Sequence, residues 1–481
     1  MIHIEVIHET QYGKIIHGDN LEVLDTLEDN FIDSCISDFP YDLSFMGKCY
    51  HPDTEVLTID GWKNIKFIKE NDLVYSLNPN TKVIEVTDCI KTYEYNFDGE
   101  LFEIKGRSIH QIITLNHKVW LSYDKTNYNL IEAQKINKNF YMMNQGKWQG
   151  LFADYIIING ETFNIRAFMK FLGLFLGDGC VINRKKQPEK QDFIVLFAKK
   201  ERELNAIINC LNELRVNYKQ SINKNNGVYQ FYIYNKSLLE YLKPLGKAKE
   251  KYIPKEIFKY DKEILKYLFY GLIESDGCLQ GKNQITYYTV SEQLADDFQQ
   301  LCLLIGKSAT KTKRKNNKNA FKSKLGYCFT LSVLNENKQF LLNYYNYKNK
   351  KTNINLYRYK GKVYCIELRN NHIMLTRLNG KTVWSGNSWD NTGNFYEWCK
   401  ARAEKLIRVM KPGGYVAIFG HPKTNHRMKC AFEDAGFKIV EEIDWVYLSG
   451  FPKNQDIGKM FLKQIEKQLK EQGVDKIEWE E

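Results

Sequence analysis

The chain has 481 residues, 43% hydrophobic, a net charge of +11 and eleven cysteines; that length suits roughly three domains of ordinary size. No apolar run reaches the ~18 residues of a membrane helix, and Met1-Ile2-His3-Ile4-Glu5 has no basic and apolar leader, so neither a span nor a secretory signal is expected. The cysteines stand singly without a C-x-x-C pair, which argues against a zinc site or a disulfide framework and for a reducing cytoplasm.

Charge divides the chain. Residues 1–48 carry two lysines and ten acids, net −8; residues 388–481 balance at 15 of each sign; residues 49–387 hold the remaining +19. A basic middle with interspersed aromatics points to nucleic acid.

Two β/α units open the chain, around Ile15–Asn20 and Ile32–Tyr41, the second strand ending in Asp38-Phe39-Pro40-Tyr41. The pattern then breaks after Lys48. Omitting residues 49–387 joins Met46-Gly47-Lys48 to Ser388-Trp389-Asp390-Asn391 as one loop. The residues at the break are a thiol nucleophile, Cys49, an amide able to cyclise, Asn387, and a hydroxyl acceptor, Ser388. This is the chemistry needed to excise the insert and rejoin its flanks.

Behind Cys49 come short β-prone runs, Thr54–Thr58 and Asp72–Leu77, punctuated by Asp60-Gly61 and Asn78-Pro79. A second β-rich stretch spans 361–384, so the two ends of the insert read as one interrupted β-domain. Cys49-Tyr50-His51-Pro52, Thr114-Leu115-Asn116-His117, Val363–Leu368 with Asn371-His372, and Ser385-Gly386-Asn387-Ser388 resemble the sequence blocks of inteins. The resemblance implies an all-β Hedgehog/intein (Hint) splicing fold. In it Cys49 attacks the Lys48 carbonyl, Thr114 and His117 assist that step, Ser388 takes the acyl group and Asn387 cyclises. Two positions depart from the family: Gly386 stands where His is usual, which turns attention to His372 as the base, and Cys365 stands where many members have Asp.

Inside the insert, Phe171-Leu172-Gly173-Leu174-Phe175-Leu176-Gly177-Asp178-Gly179 parallels Phe269-Tyr270-Gly271-Leu272-Ile273-Glu274-Ser275-Asp276-Gly277. Each reads as a helix stopped by Gly. Small residues four apart let two helices approach closely. An acid at a helix C-terminus opposes the dipole at a cost of about 0.3–1 kcal/mol, which divalent metal binding would explain. The pair resembles the double-motif LAGLIDADG homing endonucleases, an α+β fold. The resemblance implies Mg2+ on Asp178 and Asp276, an assisting Lys251, and a double-stranded DNA target. The cluster Lys311–Lys318 is either a phosphate contact or a solvated loop.

In the flanks, Asp38-Phe39-Pro40-Tyr41 resembles the DPPY motif of amino-group DNA methyltransferases, with Phe39 for the first Pro. Val409–Phe419, a helix end, a Pro-Gly-Gly turn and an expected buried strand, supports this. The resemblance implies a partial α/β Rossmann-like fold in which Asp38, Pro40 and Tyr41 hold a flipped adenine or cytosine, with S-adenosylmethionine as methyl donor. The family's F-x-G-x-G cofactor motif is absent from residues 1–48 and 388–481, so either a second polypeptide completes the enzyme or the gene is truncated.

The expected organisation is multidomain. Residues 1–48 and 388–481 form the methyltransferase flanks, 49–160 and 346–387 the splicing domain, and 161–345 the endonuclease. The expected setting is the cytoplasm of a bacterium, or a phage-encoded product there. A competing reading, resting on Gly386, is a splicing-deficient DNA-binding methyltransferase that keeps its insert.

Overall fold

A computed structural model describes residues 5–39, 48–183, 191–280, 284–315, 325–334, 339–344, 352–387, 395–422 and 424–444. The chain forms two units: Met1–Phe39 with Asn394–Glu481, and Pro40–Gly393. Ser388, Pro40, Tyr41 and Asn316–Lys318, named above, lie outside the described residues. Among the described residues no helix is long and apolar enough to cross a membrane.

In the first unit, strands Glu5–Thr10 and Gly13–His17 form a hairpin. The helix Asn20–Asp25 follows, capped by Asp19, whose carboxylate accepts the Leu21 N–H at 2.8 Å. Strand Ile32–Asp38 pairs in parallel with Met410–Phe419, from Ser34 opposite Tyr415 to Asp38 opposite Phe419. Segments far apart in sequence thus share one small sheet. Helices Phe395–Val409 and Asn425–Asp434 supply Cys399, Ala403, Leu406, Ala431 and Phe432 to a core that also takes Phe39. The strand Met410–Phe419, expected to be buried, is largely not: its Tyr415 is 72% exposed and Ile36 of the paired strand 77%, because no helix of this unit covers that part of the sheet among the described residues.

The second unit is mostly β at its ends. The 23-residue strand Val83–Lys105 pairs antiparallel with Ile354–Leu368, from Ile104 opposite Ile354 to Cys89 opposite Leu368. It also pairs with Leu73–Leu77 and His110–Thr114. The stretches on either side of the central helices therefore close one nine-stranded sheet. Strand Gln339–Leu342, assigned by sequence to the endonuclease, instead hydrogen-bonds Phe140–Met143 in the adjoining four-stranded sheet. Its side chains alternate in exposure, with Leu342 buried among the β-domain residues, and such a short strand gives no sequence cue to its partner.

Between these ends lie two copies of one module. The first runs helix Ile165–Asp178, strands Gly179–Ile182 and Phe193–Ala198, helix Glu201–Leu214, strands Tyr218–Asn223 and Val228–Ile233. The second runs Lys262–Asp276, Gly277–Gln280, Gln284–Thr289, Glu292–Leu304, Ser308–Lys315 and Tyr327–Leu334. Both sheets have the strand order first, second, fourth, third. Asn164 and Asp261 cap the two leading helices by accepting the N–H of Ala167 and Glu263.

The leading helices meet at their glycines. Gly179 and Gly277 follow the last helical residue, as the sequence suggests, and both are extended, with φ −107° and −92°. A Cβ at Gly179 would lie 2.8 Å from the Phe175 oxygen, and one at Gly277 2.4 Å from that of Ile273. Glycine is needed there because the strand leaves the helix against its last turn.

Candidate functional site

At the start of the second unit, Cys49 is fully buried. Its N–H donates to Thr114 Oγ1 at 3.0 Å, and the Thr114 N–H donates to the Cys49 carbonyl at 2.9 Å. The next residue, Tyr50, exchanges both backbone hydrogen bonds with Tyr364, at 2.7 and 3.1 Å, which sets Cys49 across from the buried Cys365. Burial, and secondarily Cys365, pushes the Cys49 thiol up, so it is protonated at neutral pH.

His117 is buried three residues past Thr114, its ring edge-on to Tyr50 at 4.3 Å. Burial pulls its pKa down to about 4, against the opposing pull of the Lys48 and Gly386 backbones beside it. It is a neutral imidazole at physiological pH. The far end of the insert arrives at the same place. The Tyr50 hydroxyl donates to the Gly386 carbonyl. The Asn387 N–H donates to the His372 carbonyl at 3.0 Å, and the His372 and Asn387 side chains are hydrogen-bonded. His372 sits in the left-handed region, φ +49°, beside Asn371 at +65°. Cys49, Thr114, His117, His372 and Asn387 thus gather around one point.

The second cluster sits at the paired helix ends. Asp178 and Asp276 are the last helical residues of their modules. Burial raises both carboxyls; Glu203 adds to the effect at Asp178, and Asp178 adds to it at Asp276. Lys251 comes from the segment between modules. Its Nζ donates to the carbonyls of Phe175, Gly177 and Gly179 at 2.8, 3.0 and 2.8 Å. Burial lowers its pKa to about 8 despite both aspartates. All three N–H bonds are engaged with the end of the first aspartate helix, which offsets the adverse dipole there. Arg202 of the first module reaches the Glu274 and Gly277 carbonyls of the second at 3.3 and 3.2 Å. Each aspartate helix is therefore capped by a cation from outside its own module. Two partly desolvated carboxylates, close enough for one to raise the other's pKa, suit a hard divalent cation. Among the described residues no cluster of three or more His, Cys, Asp or Glu accompanies them.

Of the basic cluster, Lys311 pairs with Asp296 and Lys313 lies over Tyr327, 4.6 Å from the ring centroid. In the first unit, Asp38 ends its strand, and Phe39 packs edge-on against Trp398 at 5.1 Å and against Phe432 at 5.9 Å. The aromatic at that position is a core anchor.

Sequence reading passed over Tyr50, Arg202 and Arg377. Arg377, 2% exposed, makes two 2.6 Å bonds to Glu55, pairs with Asp296, donates to Gln299 at 3.0 Å and stacks on Trp62. With the 3.1 Å bond from Gln300 to the Tyr75 hydroxyl, it ties the β-domain to the second module.

Two family models match parts of the chain: a LAGLIDADG-like domain over residues 263–363 and a DNA methylase over 344–469. An ATP-dependent Clp protease proteolytic subunit of Chlamydomonas moewusii is 28% identical over 295 residues, covering 55% of this chain and 28% of that protein. A DNA-directed RNA polymerase subunit beta C-terminal section of Stigeoclonium helveticum is 24% identical over 401 residues, covering 71% and 36%. The chain spans only 21–36% of the curated relatives it matches. Among solved structures, I-DmoI in complex with DNA and Mn is similar at 16% identity, 36% of this chain, 91% of that one and a TM-score of 0.26. An intein-like domain from Clostridium thermocellum gives 23% identity, 20% and 67% coverage and a TM-score of 0.18. Parts of the chain are thus similar to a LAGLIDADG-like domain and to a DNA methylase domain.

Proposed function

We propose that the chain is a self-splicing precursor: residues 49–387 are an intein carrying a site-specific double-strand DNA endonuclease, and the flanks are part of an S-adenosylmethionine-dependent amino-group DNA methyltransferase. The observation that carries the reading is the meeting of the two ends of the insert: Tyr50, next to Cys49, donates to the Gly386 carbonyl, next to Asn387, with buried His117 against the Tyr50 ring. The relatives support it too. By their names they are a protease subunit, an RNA polymerase section and a helicase, so what they share with this chain is expected to be a passenger.

Splicing would begin when the Cys49 thiol attacks the Lys48 carbonyl carbon. Neutral His117 takes the thiol proton and delivers it to the departing Cys49 nitrogen, whose N–H the Thr114 hydroxyl holds in place. The Ser388 hydroxyl then displaces the thioester sulfur. Asn387 closes on its own carbonyl carbon, forming a succinimide and freeing the Ser388 amine, with His372 as the neighbouring base. An O-to-N acyl shift leaves a Lys48–Ser388 amide. Gathering both junctions in one buried place makes these steps unimolecular.

In the endonuclease, Asp178 and Asp276 would hold Mg2+. Bound there, the ion supplies charge stabilisation for a phosphodiester under attack by water. Lys251 and Arg202 fix the helix ends that present the two carboxylates. For the methyltransferase, Asp38 would accept a hydrogen bond from the exocyclic amine of a flipped base. The Gly-rich S-adenosylmethionine motif is absent from residues 1–48 and 388–481, so no methyl-transfer step is assigned to these flanks alone.

The test is intact-mass spectrometry of the expressed chain beside Cys49→Ala and Asn387→Ala. A ligated product lacking residues 49–387, with the free insert, absent from both variants, supports splicing. An unchanged 56.7 kDa chain overturns it and favours a retained insert. For the nuclease, DNA joining the host codons on either side of the insertion is incubated with the protein and Mg2+. Absence of cutting, or equal cutting by Asp178→Ala, sinks that part.

A further inference from the structure

We propose that Tyr50 is a positioning residue for cleavage at the C-terminal junction: by holding the Gly386 carbonyl it fixes the peptide from which Asn387 cyclises. The inference rests on the splicing reading above and gives a role to a residue that the sequence reading left without one.

The Gly386–Asn387 peptide is pinned at both ends. Its carbonyl accepts from the Tyr50 hydroxyl, and its N–H donates to the His372 carbonyl at 3.0 Å. With that plane fixed, only the torsions of Asn387 remain to bring its side-chain nitrogen to its own carbonyl carbon. Ring closure needs those two atoms held near contact, and restricting freedom elsewhere raises the fraction of time they are. Asn387 is itself 1% exposed, so the arrangement is enclosed.

Tyr50 is equipped for this task. It is fully buried, its backbone is locked to Tyr364 and bridged to Ile113, and its ring rests against His117. Desolvation keeps the hydroxyl protonated and therefore a donor, and the Ser385 side chain lies within its reach beside the Gly386 carbonyl. A side chain at position 386 could not do the same work. A Cβ there would fall 2.6 Å from the Lys118 carbonyl oxygen and 3.0 Å from Leu130 Cδ2. Control of this junction therefore comes from across the sheet, through a residue covalently next to the first nucleophile.

The test compares the full chain with Tyr50→Phe, which keeps the ring and removes only the hydroxyl. Cleavage after Asn387 is followed by mass spectrometry. The N-terminal step is followed separately as dithiothreitol-induced cleavage before Cys49, in an Asn387→Ala background. Tyr50→Phe should slow C-terminal cleavage at least ~10-fold and leave thiol-induced cleavage within about twofold, so species uncleaved at Asn387 accumulate. Unchanged C-terminal cleavage overturns the proposal. Equal slowing of both steps also overturns it, since a purely structural role predicts that. The N-terminal readout doubles as the check that the variant folds. If the wild-type chain cleaves at neither junction, the splicing reading itself falls and takes this inference with it, an outcome distinct from a fault in Tyr50→Phe alone.

Discussion

A Cβ placed on Gly173 would fall 2.9 Å from the Cα of Gly271, and one placed on Gly271 would fall 2.3 Å from the Lys170 carbonyl oxygen. The two aspartate helices therefore touch backbone to backbone, and the position of each carboxylate depends on that contact. Gly173→Val should destabilise the insert by about 1–3 kcal/mol through overpacking. It should also abolish DNA cutting, because the helix ends are forced apart. Urea unfolding and a cleavage assay check both. A variant of unchanged midpoint that still cuts would show that the helices have room to spare.

Asp178 and Asp276 carry a cost. Burial raises both carboxyls, and repulsion from Asp178 raises Asp276 further, so the folded chain holds protons that the unfolded chain releases above the ordinary value of 3.8. Stability from this source is complete below that value and is lost as pH rises through the folded-state pKa values. Asp276→Asn should therefore be more stable than wild type at pH 7, by about 0.5–2 kcal/mol, while cutting is lost. The gain should vanish near pH 4. Adding Mg2+ should raise the melting temperature of the wild type more than that of the variant. Equal responses to Mg2+ would place the ion elsewhere.

Lys251 has a measurable structural duty. Its ammonium bonds three carbonyls at the end of the first aspartate helix. Lys251→Met leaves them without that donor and should cost about 1.5–3 kcal/mol, the range for a hydrogen bond to a charged group. Denaturation without DNA or metal isolates this from any part in cutting. An unchanged stability would mean that the carbonyls find other donors.

The features legible in the sequence were those fixed by local chemistry. Gly173 and Gly271, Gly177 and Ser275, and the acid after each pair announce themselves because close helix approach demands small residues at one spacing. Cys49, Thr114, His117 and Asn387 are legible as residue types near chain landmarks. Tyr50 was not, since its role depends on pairing with Tyr364 and on the distant Gly386 carbonyl. Arg377 reads as one charged residue in a mostly apolar strand; only the folded sheet brings Glu55, Asp296 and Trp62 around it. The helix-ending glycines are legible as stops, but the reason they are needed, crowding by Phe175 and Ile273, appears only in the folded chain.

His117 should titrate far from an exposed imidazole. Its folded-state pKa of about 4 lies below the ordinary 6.5, so the unfolded chain takes up a proton first as pH falls. Its contribution to stability is complete above 6.5 and is lost as pH falls toward 4. Ring-proton NMR of the Cys49→Ala, Asn387→Ala chain should show one histidine with a midpoint near 4, absent from the same chain carrying His117→Ala. A midpoint near 6.5 for His117 would mean that water reaches the junction, and neutral-base catalysis there would lose its footing.

The last expectation concerns Gly386. Inteins usually carry His before the terminal Asn, so Gly386→His looks like a repair. The local geometry predicts the reverse. Any Cβ at this position meets the Lys118 carbonyl oxygen at 2.6 Å, and that oxygen belongs to backbone that pairs with Tyr128–Glu132. To admit the imidazole, the strand Lys381–Gly386 must shift, which withdraws the Gly386 carbonyl from Tyr50 and the Asn387 N–H from His372. Gly386→His should therefore lower C-terminal cleavage by about tenfold, the loss expected when a positioned reactant is misplaced. Gly386→Ala should fall in the same direction, since the clash begins at Cβ. Time courses of succinimide formation measure both. Faster cleavage by Gly386→His would mean that the junction relaxes readily, and that the absence of His, and not the fit of Gly, limits this step.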